Sequence, residues 1–167
     1  MKQDDISKVE DTMTEFNARL CGWYTGELGG EAFFDAMAAE AGNDAEASKW
    51  RVLAQLERRM GERLATALTA RGVQLPEPRE RPTSLLEQAA TLAGKGWLGI
   101  MTDLEAPIAR FVAQIRDEAA QAPDDARAIA AEYLTHEEAL LDFLAAELAG
   151  EGTRSTAAAD ALLEAWR

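Results

Sequence analysis

A chain of 167 residues, 47% hydrophobic and 28% charged, has the length and composition of one folded domain spanning 1–167 with a real core, and excludes a disordered or fibrous protein. Its formal charge of -13 argues against nucleic acid and anionic membrane surfaces as partners, because both are polyanions. The single cysteine, Cys21, excludes an intramolecular disulfide and points to a reducing, cytoplasmic setting, with the thiol packed as a small hydrophobe.

The N-terminal stretch MKQDDISKVED has no apolar run behind its charges, so no signal peptide is expected. No segment approaches the ~20 apolar residues of a membrane span. Helical periodicity runs through nearly the whole chain and strand alternation is almost absent. A helix from about Ile6 leads into a first long helix with the stripe Phe16, Leu20, Trp23, Glu27, Glu31, Phe34, Ala38. Gly42-Asn43-Asp44 ends it, with Asp44 placed to cap the next helix. The second helix spans about Ala45 to Arg71 with the stripe Trp50, Leu53, Glu57, Met60, Leu64, and Gly72 stops it.

The segment VQLPEPRERP (73–82) carries three prolines and predicts an extended crossover, with Thr83 or Ser84 capping a helix from Leu85. Gly94-Lys95-Gly96 breaks the third helical region, whose longer part runs from Trp97 to Gln121 with the stripe Leu98, Met101, Glu105, Ile108, Val112, Ile115, and Pro107 predicts a kink inside it. The fourth long helix follows Pro123-Asp124-Asp125 and runs to Leu148 with the stripe Ile129, Tyr133, His136, Leu140, Phe143. Gly150 and Gly152 end it, and Thr153 to Arg167 predicts a short terminal helix docking through Leu162, Leu163 and Trp166. Trp23, Phe33, Phe34, Trp50, Trp97, Phe111 and Phe143 read as core, and Glu137, Glu138, Asp142 and Glu147 as a solvated acidic face.

An apolar stripe makes its polar members informative, since an uncompensated carboxylate in a core costs several kcal/mol. Every long helix carries at least one: Glu31 with Glu27 one turn earlier, Glu57, Glu105, and His136 with Tyr133. Protons, arginine partners or a metal ion are the three ways to tolerate such groups at one level. Arg51, Arg58, Arg63 and Arg110 are available as partners.

The segments Gly-Gly-Glu-Ala-Phe-Phe (29–34), Leu-Ala-Gln-Leu-Glu-Arg-Arg-Met (53–60) and Glu-Tyr-Leu-Thr-His-Glu-Glu-Ala-Leu (132–140) resemble the ferritin-like superfamily, particularly its rubrerythrin-type branch, over about Trp23 to Leu148. The resemblance implies an all-α fold: an antiparallel four-helix bundle, its core about 23–148, with a long crossover between the second and third helices and short terminal helices. It implies Glu31, Glu57, Glu105 and His136 as metal ligands, with Glu27, Glu132 and Glu137 as less favoured candidates. The family's Glu-x-x-His pairs are each incomplete here: Met60 stands in place of one histidine and Tyr133 in place of one glutamate. The expectation is therefore either a single Fe, Mn or Zn ion or no metal at all.

These losses favour a ferritin-like protein with a degenerate metal site and a non-catalytic or interaction role, as a homodimer. The alternative is a metal-dependent (Fe/Mn) oxidase or metal-handling protein on the reduced carboxylate/His set, with an undefined small-molecule substrate. A third expectation is a small apolar ligand held between the helices.

Overall fold

The computed structural model describes the backbone at residues 3–76 and 83–167, and side chains at 13–76, 87–92 and 94–167. Six helices pack together: α1 (Gln3–Ala39), α2 (Asp44–Ala70), α3 (Thr83–Ala93), α4 (Trp97–Ala120), α5 (Arg127–Leu148) and α6 (Ala157–Ala165), and no strand occurs among the described residues. Among them, no helix is long and apolar enough to cross a membrane. The N-terminal helix and the first long helix are one uninterrupted element. The cap between α1 and α2 falls one residue before its expected place: Asn43, not Asp44, accepts the Glu46 backbone N–H at 3.0 Å. Asp44 is instead the first helical residue, where its charge suits the helix dipole.

Side-chain contacts fix the relative directions. Phe34 stacks on Trp50 while Asn17 accepts from Arg71, so α1 and α2 run antiparallel. Trp97 meets both Phe143 and Glu147, while Arg116 pairs with Glu138, so α4 and α5 are antiparallel too. The start of α4 lies beside the start of α2, because the Trp50 and Trp97 rings are 5.1 Å apart. The end of α2 lies at the opposite pole, where Arg71 reaches Asp125. A helix of 27 residues is ~40 Å long, so the segment from Arg71 to Gly96 returns the full length of the molecule, with α3 on the way and packed on α1. The extended crossover expected over 73–82 lies largely outside the described residues.

Glycine sets the breaks that the sequence predicts. Gly72, Gly96 and Gly150 adopt φ of 71°, 70° and 77°, the left-handed region that a Cβ disfavours. Pro107 lies within α4.

The core is divided. One apolar cluster gathers Phe34, Met37, Trp50, Leu53, Met101, Leu140 and Phe143. The other gathers Phe16, Leu20, Trp23, Met60, Leu64, Ile115 and Tyr133. On each of α1, α2 and α5 the sequence passes from one cluster to the other through a polar residue: Glu27, Glu57 and His136 respectively, all buried. A polar layer therefore crosses the middle of the molecule with apolar layers on both sides.

The acidic stretch of α5 is not a solvated face throughout. Glu137 and Glu147 are buried, because they sit on the side of α5 that faces the other helices. Glu147 accepts from Trp97 Nε1 at 2.7 Å, and from Ser155, and pairs with Lys49, which satisfies its charge. Phe111 also departs from expectation, at 39% exposed, and Trp97 is only half-buried. Cys21 is half-buried, and burial pushes its thiol pKa up, which keeps it protonated.

Candidate metal centre

The polar layer is built by helical spacing. Glu27 lies one turn beyond Trp23 on α1, Glu57 one turn beyond Leu53 on α2, and His136 one turn beyond Tyr133 on α5, so each inherits the inward direction of a core residue. Their exposures are 2%, 4% and 0%. His136 Nε2 lies 3.1 Å from Glu27 Oε2 and 3.3 Å from Glu57 Oε1, with Glu137 Oε1 further out at 3.8 Å.

Gly30 makes room for one carboxylate, and Gly61 faces the other acid. A Cβ on Gly30 would fall 1.9 Å from Glu57 Oε2 and 2.7 Å from its carboxyl carbon, so Glu57 occupies the space where a side chain on α1 would be. On the facing helix, a Cβ on Gly61 would meet Glu27 Cβ at 3.4 Å. A glycine inside a helix costs ~1 kcal/mol relative to alanine; at Gly30 the return is a cradle for a buried carboxylate.

The donor atoms are buried and orphaned. Glu27 Oε2, Glu57 Oε1 and both ring nitrogens of His136 make no well-formed hydrogen bond, and Nε2 faces only the carboxylates at 3.1 and 3.3 Å; a buried polar group left so costs ~1–3 kcal/mol when neutral and more when charged. One atom from each residue lies within 4.8 Å of the others. The separations also fit a common ion. Bonds of roughly 2.0–2.2 Å to nitrogen and oxygen place adjacent donors roughly 3.0–3.4 Å apart in octahedral or tetrahedral geometry, and 3.1 and 3.3 Å are observed. A buried cluster of Glu27, Glu57 and His136 can thus hold a metal ion. The unpartnered Nδ1 of His136 is a departure from the usual ligating histidine, whose second nitrogen donates to a fixed acceptor.

The electrostatics express the same crowding. Burial pushes the Glu57 pKa up to about 8, and the neighbouring Glu27 charge adds to this against the lowering effect of His136. Burial likewise raises Glu137 to about 7, with His136 and the Tyr133 phenol acting the other way. For His136, burial disfavours the cation, but the facing Glu27 and Glu57 carboxylates overcome it and hold its pKa well above the ordinary value. Tyr133 is raised too, by burial first and then by Glu137 and Glu27. Its ring lies between Trp23, stacked at 4.4 Å, and His136 at 5.9 Å.

The structure brings together two of the four favoured sequence candidates, Glu57 and His136, and separates the other two from them. Glu31 is one turn too far along α1: its carboxylate leaves the layer and pairs with Arg58 at 2.7 Å. Glu27, a less favoured candidate, occupies the inward position instead. Glu105 is exposed on α4, one turn beyond the buried Met101, and does not reach the cluster. Glu132 points outward to Arg63 at 2.7 Å. Glu137 does lie at the edge of the cluster, beside the position that Tyr133 leaves without a carboxylate. Met60 is fully buried among apolar neighbours.

A cavity of about 310 Å³ adjoins the cluster between α1 and α4. Glu27, Glu57, Glu137 and Tyr133 form its floor, and Phe33, Phe34, Leu104, Ile108, Phe111 and Leu140 its apolar walls. Set against protein-family models, curated proteins and solved structures, the chain matches none of them.

Proposed function

We propose that this chain is a ferritin-like four-helix-bundle protein, formed by α1, α2, α4 and α5, that binds one divalent transition-metal ion on Glu27, Glu57 and His136 and uses it catalytically. The observation that carries the reading is the convergence of buried donor atoms without hydrogen-bond partners from three separate helices. Apolar residues of similar volume would often pack as well as such a buried polar layer, so its presence is best accounted for by a bound ion. The return path between α2 and α4 supports the bundle reading, because a single long crossover is the connectivity of ferritin-like folds.

The donor set supports one ion rather than two. α4 contributes Leu104 and Ile108 to the space beside the cluster and no carboxylate, and Met60 is a poor ligand for hard metals. Two carboxylates with one imidazole suit iron, manganese and zinc alike. An ion held there supplies a Lewis acid and, as iron or manganese, a one-electron redox centre. Glu27 and Glu57 would balance its two positive charges, and His136 would fix its position on α5. Glu137 borders the cavity beside them. The adjoining space favours catalysis over storage, because it gives a second molecule access to the same buried layer.

The test is metal content and affinity. Protein purified without added metal is expected to carry about one equivalent of iron, manganese or zinc per chain, and Glu27→Ala and His136→Ala to carry none. Absence of bound metal, with thermal stability unchanged by Fe²⁺, Mn²⁺ or Zn²⁺, would leave the non-catalytic module as the better account.

A further inference from the structure

We propose that the cleft between α1 and α4 binds a small, uncharged, largely apolar molecule with its polar end against the Glu27–Glu57–His136 layer. This deepens the metal reading and rests on it for the chemistry, although the apolar part of the binding needs no metal.

The cleft exists because α1 and α4 hardly touch: α1 packs on α2 and α3, and α4 on α5. Of the polar contacts between α1 and α4, the bond from Trp23 Nε1 to Glu118 at 3.1 Å lies beyond the cleft, towards the end of α4. Between them the wall residues Phe33, Phe34, Leu104, Ile108 and Leu140 line an open space, and Phe111 stands at the mouth with 39% of its surface exposed. Large apolar side chains facing an unfilled space lose dispersion contacts that a packed core would supply. A ligand restores them.

Size and charge narrow the class. A volume of about 310 Å³ is at the small end of the ~300–1,000 Å³ typical of ligand pockets and has room for roughly ten water-sized groups. Among the described residues the only uncharged polar side chain besides Tyr133 on the lining is Gln88, so a sugar or a peptide would lose its hydrogen bonds there. A carboxylate head placed inward would be buried with no lysine or arginine on the described lining to pair it, which disfavours a fatty acid. An alcohol or a carbonyl compound of medium chain length satisfies all of these conditions.

The experiment is isothermal titration of metal-free protein with 1-butanol through 1-decanol, and with hexanoate. Affinity is expected to rise about fourfold per methylene, from ~0.8 kcal/mol per buried CH₂, and to stop rising once the chain outgrows the cavity. Hexanoate should bind at least tenfold more weakly than 1-hexanol. Ile108→Trp, which fills the cavity, should weaken 1-hexanol at least tenfold while leaving Mn²⁺ affinity unchanged. Gly26→Leu is the second variant: Gly26 lines the cavity, and a Cβ there meets only the Tyr133 hydroxyl, at 4.0 Å, so the backbone admits a side chain at this position. Hexanol binding unaffected by either variant, or hexanoate equal to hexanol, would overturn the inference. Because Mn²⁺ and alcohol are titrated separately, failure of the metal reading is distinguished from failure of this one.

Discussion

Replacing Gly30 with alanine tests the carboxylate cradle directly. At a helix position with free space the change should stabilise: Gly22, with nothing within 4 Å of an added Cβ, should gain ~1 kcal/mol as alanine, or roughly 2–4 °C in Tm for a chain of this size. At Gly30 the added methyl would lie 1.9, 2.7 and 3.3 Å from Oε2, Cδ and Cγ of Glu57. All three contacts are to one side chain, so the Glu57 carboxylate must leave its place. Overpacking of this kind costs ~1–3 kcal/mol, which offsets the propensity gain and leaves Gly30→Ala between neutral and ~2 kcal/mol less stable. Metal affinity should fall at least tenfold, since misplacing even a supporting group costs ~10–100-fold. Urea denaturation and Mn²⁺ titration of both alanine variants would measure this. If Gly30→Ala bound Mn²⁺ like the wild type and gained stability as Gly22→Ala does, the cradle argument would be wrong.

Three further outcomes are expected. Glu31→Gln, Glu105→Gln and Glu132→Gln should each leave metal affinity unchanged and shift stability by less than ~1 kcal/mol, because they alter only exposed or half-exposed groups; a lost metal in any of them would redraw the site. Glu147→Ala should cost ~3 kcal/mol or more in urea denaturation, since Lys49, Trp97 and Ser155 all lose their acceptor; a cost below ~1 kcal/mol would show that the network contributes little. In chelator, the metal-free fold should lose stability as pH rises from about 5 to 8. Glu57 and Glu137, at about 8 and 7 when folded, hold protons that the unfolded chain releases near 4.5. His136 adds the same sign, its contribution being full below ~6.5 and lost as pH rises through its raised folded value. Glu147 acts oppositely at the acid end: its donors hold its pKa low despite burial, so its contribution is lost as pH falls below about 4.5. Urea midpoints that stay flat or rise between pH 5 and 8 would contradict this balance.

The helices were readable because a 3.6-residue apolar period and glycine breaks are properties of the local sequence. Glu57 and His136 were readable for the same reason, each standing centrally in an otherwise apolar stripe. The choice between Glu27 and Glu31 was not, because both lie on the same face one turn apart and the level at which α1 meets α2 decides between them. Gly30 and Gly61 carried that information: one admits Glu57 and the other faces Glu27, so small residues opposite a buried acid were the available signal. Glu137 and Glu147 looked solvated because a run of acids reads as a surface. Their surroundings depend on Tyr133 and on Lys49, Trp97 and Ser155, and Lys49 and Trp97 lie 98 and 50 positions away from Glu147 on other helices. Phe111 read as core because periodicity reports which side of a helix is apolar, not whether a neighbouring helix closes over it.

The most direct measurement is a crystal structure of the protein grown with Mn²⁺, with anomalous data collected near the manganese edge. One strong peak is expected within roughly 2.0–2.2 Å of side-chain atoms of Glu27, Glu57 and His136. An empty cluster, or a peak seated only on surface carboxylates such as Glu31 or Glu105, would contradict the account.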